Sequence, residues 1–105
     1  MRGLPILAVA AALAAVGPAA AQGDPKAGLR IAEQNCAACH ALGPTGASPI
    51  AEAPPFRDLH RRYAVEDLAE ALAEGIVTGH PAMPEFQLDP LEIDHFMAYL
   101  KSLER

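Results

Sequence analysis

Nowhere along the chain do apolar and polar residues alternate with a period of two, and where a repeat emerges it is helical. Ile93, Phe96, Met97 and Leu100 fall on one face of a helix, and Leu68, Leu72 and Ile76 do the same in an earlier segment. Asp89 followed by Pro90 places a capping side-chain oxygen ahead of a residue whose missing N–H does no harm in a first turn, so the last helix is predicted to open there and run to about Leu103. Asp24 and Pro25 repeat the signal and predict a helix to about Asn35, with a weak apolar stripe that includes Ala27 and Ile31. A third helix is predicted from Val65, with Gly75 as its stop. The fold class is therefore all-α.

Two stretches between these helices resist regular structure. Residues 42–56, LGPTGASPIAEAPPF, contain four prolines and two glycines, and residues 77–88, VTGHPAMPEFQL, are stiffened by Pro81 and Pro84. Gly28 inside the first helix costs about 1 kcal/mol relative to alanine, a cost that is offset only where another helix crosses closely.

The N-terminus has a different pattern. Arg2 precedes an apolar run from Leu4 to Val16, a Gly17-Pro18 break, and small residues Ala19 and Ala21. This order predicts a secretory signal peptide over residues 1–21, cleaved after Ala21, rather than a membrane anchor, which needs about 20 uninterrupted apolar residues. Residues 22–105 are then the functional domain, in an oxidising compartment expected to be the periplasm. Without Arg2 that domain has seven basic and thirteen acidic side chains, a formal charge of −6. Such a surface argues against nucleic acid and anionic lipid as partners. Glu66, Glu70 and Glu74 make an acidic stripe with no lysine on their own helix, which reads as a solvated face or a docking surface for a basic protein.

A domain this small buries only about 60 to 65% of its unfolded surface and needs a staple. Its two cysteines stand in Cys36-Ala-Ala-Cys39-His40. A disulfide across so short a loop removes little entropy from the unfolded chain. A dithiol redox pair needs a preceding strand, and a zinc site needs a second ligand cluster; the sequence has neither. Cys-x-x-Cys-His as covalent haem attachment needs no further neighbours: thiols one helical turn apart can meet the two vinyl groups of one porphyrin, and His40 is carried over the ring toward iron. A single haem c, covalently held, would be both cofactor and core.

The second axial ligand must come from another segment. His60, His80, His95, Met83 and Met97 are the candidates. Met97 belongs to the apolar face of the last helix, where methionine usually fills gaps. Met83 lies in a loop braced by prolines that can hold a thioether inward without a packed helix behind it, and is preferred to His80.

With these features in this order, from the Asp24 helix through Cys36-Ala-Ala-Cys39-His40 and the Met83-Pro84 loop to the terminal YLKSL, the chain resembles a small bacterial class I cytochrome c. The resemblance implies helices packed around one covalently attached haem, with the first and last helices crossing at Gly28. It also implies that in APPFRDLHRRY a proline carbonyl, that of Pro54, holds the haem-ligating histidine. The acidic, short chain departs from the mitochondrial members, so their lysine-ringed docking surface is not carried over. The function expected is one-electron transfer by a monomeric periplasmic carrier between redox partner proteins, with His40 and Met83 saturating the iron and no enzymatic activity. The alternatives are a haem enzyme or gas-binding protein with an open sixth position, or a cytochrome subunit of a dehydrogenase or oxidase complex.

Overall fold

The computed structural model describes residues 23–104; the predicted signal peptide, residues 1–21, lies outside them. Three helices carry the architecture: α1 (Pro25–Asn35), α2 (Val65–Glu74) and α3 (Pro90–Ser102), with a 3-10 helix at Phe56–Arg61 between the first two. The only extended pairing among the described residues is an isolated antiparallel bridge between Ile76 and Phe86.

The capping residues act as their chemistry requires. Asp24 accepts a hydrogen bond from the backbone N–H of Lys26, and Asp89 forms a reciprocal capping box with Glu92 at the start of α3. Gly75 ends α2 at φ +100°, a backbone conformation that a side chain would strain.

α1 packs chiefly on α3, and the reason is the absence of side chains at two positions. A Cβ built on Gly28 would lie 2.0 Å from the carbonyl oxygen of His95, and one on Gly23 would lie 2.1 Å from that of Asp94. The two backbones therefore touch where the glycines stand. Asp24 N–H donates to Nδ1 of His95 at 2.8 Å, fastening the start of α1 to the middle of α3.

The core forms between α3 and everything else. Ala32, Phe56, Val65, Leu72, Phe96 and Leu100 are among its buried members. Phe56 meets Phe96 edge-on, with centroids 5.8 Å apart, so the 3-10 helix is held against α3 by an aromatic pair. On the surface, Lys101 of α3 forms an ion pair with Glu66 of α2, so the acidic stripe has one basic partner after all, supplied by a different helix. That contact holds the Glu66 carboxyl below its ordinary range and the Lys101 ammonium above its own.

Candidate functional site

α1 ends one residue before the first cysteine. Cys36 is its C-cap, with φ −125° and ψ −20°, and its N–H still donates to the carbonyl of Ala32 at 2.7 Å. Residues 36–39 form a turn in which the Cys36 carbonyl accepts from the N–H of Cys39 at 3.2 Å and of His40 at 3.0 Å. Cys36, Cys39 and His40 thus keep one-turn spacing although they lie beyond the helix itself. Both thiols are free. Cys36 is buried, and that burial, reinforced by the neighbouring Cys39, pushes its thiol up to about 11.

His40 is oriented from two sides. Its Nδ1 lies 2.8 Å from the carbonyl oxygen of Pro54, which can only accept, so Nδ1 carries the proton and Nε2 is left with its lone pair. Its ring leans on Phe56, with centroids 5.0 Å apart and planes tilted by 41°. The loop that delivers Pro54 is itself tied down. Ala41 N–H donates to Ser48 Oγ at 3.0 Å, Ile50 N–H to the Cys39 carbonyl at 3.2 Å, and Phe56 N–H to the Ala41 carbonyl at 2.9 Å. Tyr99 reaches across from α3 to donate its hydroxyl to the Leu42 carbonyl at 2.5 Å.

Cys36, Cys39, His40, Pro54 and Phe56 open onto a cavity of about 540 Å³ that also includes Met83 in its lining. Met83 is half-buried and packs against the hydrophobic core, and its N–H donates to the His80 carbonyl at 3.1 Å. The loop that carries it is anchored where it leaves and rejoins the helices: Ile76 N–H donates to the Phe86 carbonyl and Leu88 N–H to the Leu72 carbonyl, both at 3.0 Å.

Of the five residues that sequence offers for a second axial position, Met83 and His80 line this cavity. His95 is engaged with Asp24, Met97 packs into the core, and His60 belongs to a separate, smaller cavity with Arg57 and Arg61. Two lining residues had no signal in the sequence pattern. Arg62 is the one Lys or Arg of the lining, and it makes no ion pair among the described residues. Tyr63 stands beside it; burial pushes its hydroxyl up while the Arg62 charge pulls it back. Nothing in RRY, residues 61–63 at the end of the 3-10 helix, distinguishes a cavity residue from a solvated one.

The residues present fit the haem that the motif implies. The cavity falls within the roughly 300–1,000 Å³ of sites that enclose small molecules. Two unpaired thiols stand at its edge, an imidazole with a free lone pair and a thioether line it, and a single cation offers a partner for carboxylates. Among the described residues, no three His, Cys, Asp or Glu side chains are clustered to hold a bare metal ion. No described helix is long and apolar enough to cross a membrane.

Residues 23–100 match the model of a protein family described as cytochrome C oxidase, cbb3-type, subunit III. A search of curated proteins returned no match, and neither did a search of solved structures.

Proposed function

Because the chain belongs to this family of c-type cytochrome domains, with the all-α class I cytochrome c fold, we propose that it is a periplasmic one-electron carrier with one covalent haem c and His40 and Met83 as axial ligands. When bound, the haem supplies a one-electron couple at iron. Cys36 and Cys39 hold it through their sulfurs. Pro54 fixes the tautomer and rotation of His40 through the Nδ1 hydrogen bond, which also raises the basicity of Nε2. Met83 offers a soft thioether, which favours the reduced state. Arg62 and Tyr63, which line the same cavity, would offer the ring's carboxylates a guanidinium charge and a hydroxyl donor. With both axial positions filled by protein, no position is left for a substrate, and the half-buried ligands need little rearrangement when one electron arrives or leaves.

The observation that carries this reading is the convergence of Cys36, Cys39, His40 and Met83 on one cavity, with His40 already oriented. The test is spectroscopic. Exported, haem-loaded protein is expected to show the weak iron–sulfur charge-transfer band when ferric and to bind no carbon monoxide when ferrous. Ready carbon monoxide binding by the unmodified protein would favour the enzyme or gas-binding alternative.

The description of the matching family favours a second reading, in which the same electron-carrying domain serves as a subunit of an oxidase assembly. Fractionation of native cells without crosslinking separates the two: a carrier is recovered free in the periplasmic fraction, a subunit with its complex in the membranes.

A further inference from the structure

His80 and Met83 are the first and last residues of one turn. The 3.1 Å bond from Met83 N–H to the His80 carbonyl keeps their Cα atoms within about 7 Å. Both side chains line the same cavity. The His80 ring is held lightly: its Nδ1 accepts a long hydrogen bond, 3.3 Å, from the backbone N–H of Ala82, and the residue is exposed. With Nδ1 so engaged, Nε2 has no protein partner among the described residues. Directly before it stands Gly79 at φ +77°, where an added Cβ would meet nothing within 4 Å, so the backbone has both the freedom and the room to rotate. The loop is fastened at Ile76 and again over residues 86–88, where Gln87 Nε2 also donates to the Ala73 carbonyl, and between these points its hydrogen bonds are internal to residues 78–83.

We infer that His80 is a reserve axial ligand: when the Met83 thioether is unavailable, His80 Nε2 takes its place and keeps the site closed to small molecules. Imidazole suits iron as a ligand, and the exchange sacrifices one long, solvent-accessible hydrogen bond. No other candidate is so placed. The other two histidines are committed elsewhere, His95 to Asp24 and His60 to a different cavity. The consequence is protective, since a carrier that loses its thioether does not become a site that binds oxygen or peroxide.

The inference rests on the His40 and Met83 reading, and haem-loaded Met83→Ala and Met83→Ala/His80→Ala proteins test it beside the unmodified chain. Met83→Ala is expected to lose the iron–sulfur band but to remain low-spin by absorption and electron paramagnetic resonance. The double variant is expected to become high-spin and to bind carbon monoxide at least about tenfold more tightly than the single one, since an internal ligand that occupies the site most of the time weakens apparent affinity by the open fraction. Met83→Leu and Met83→Leu/His80→Ala, which keep the side-chain volume, repeat the comparison if the alanine proteins fold poorly. A high-spin single variant that binds carbon monoxide as tightly as the double one overturns the inference while leaving the carrier reading intact. A double variant that stays low-spin overturns it too, by revealing another ligand. If the unmodified protein lacks the iron–sulfur band, the underlying assignment of Met83 fails and the inference falls with it.

Discussion

From Cys36 to Phe56 hydrogen bonds tie the chain to α1 and α3 and close it repeatedly on itself, whereas from Val77 to Glu85 every hydrogen bond among the described residues stays within the stretch. The first stretch hangs from α1 through Cys36, is tied to α3 through Tyr99, and closes on its own middle through Pro54 and Ser48. The second has three hydrogen bonds, each from one residue of the loop to another. Val77, at its start, is 73% exposed. One cavity thus has a wall held by many hydrogen bonds and a wall held by few. Under the proposed His40 and Met83 ligation such a division would suit electron transfer, with the imidazole held still and the thioether kept within reach.

Removing the two thiols from the densely bonded part is expected to have the largest effect. The Cys36→Ala/Cys39→Ala protein should yield almost no haem-containing product, measured as haem absorbance per unit of exported protein. Folded, haem-free protein in good yield would mean that the ordered attachment segment stands without its cofactor. Next comes the support behind that segment. Gly28→Ala drives a methyl group into the His95 carbonyl, backbone against backbone, and is expected to cost about 3 kcal/mol or more in denaturant unfolding of the holoprotein.

On the looser side the same kind of change should cost less and report differently. Gly75→Ala places a side chain at φ +100°, a strain of about 1 to 3 kcal/mol, with only the mobile end of Glu85 in its way at 3.3 Å. Its expected signature is a weakened iron–sulfur band, whereas Gly28→Ala should lower the unfolding midpoint with the band intact until the protein unfolds. Equal effects of both substitutions on the band would erase the distinction between the two regions. Tyr99→Phe removes one hydrogen bond to the attachment loop and is expected to cost about 1 kcal/mol by the same unfolding measurement. Smallest of all, Glu66→Gln breaks an exposed ion pair with Lys101, and the unfolding midpoint at neutral pH should not move measurably. Any contribution from the lowered Glu66 carboxyl is present in full above the ordinary glutamate range and is lost as the pH falls through its depressed value.

The two regions also differed in how far they could be read from sequence. Helix boundaries were legible because they are written in adjacent residues: Asp24 with Pro25, Asp89 with Pro90, and Gly75. The attachment motif is equally local. The 3-10 helix at Phe56–Arg61 was not foreseen, since about two turns leave too little periodicity to detect. The five candidates for a distal ligand could not be reduced by position alone, because residues from 60 to 97 reach the cavity or miss it according to tertiary packing. Arg62, the Tyr99 to Leu42 bond and the Glu66 to Lys101 pair were invisible for the same reason: each joins segments whose proximity no local pattern encodes.

The clasp between Asp24 and His95 has a consequence for the order in which the molecule assembles. Its two ends are 71 residues apart in sequence, and the glycine-lined contact beside it spans a comparable distance. A chain emerging N-terminus first therefore has its first helix, but nothing to dock it against, until the last helix has also emerged. During that interval the residues just after the first helix are neither buried nor fixed, and both thiols are open to modification. Closure of the two helices, late and long-range, ends this period by setting the support behind the attachment segment, whose Cys36 is buried in the finished domain.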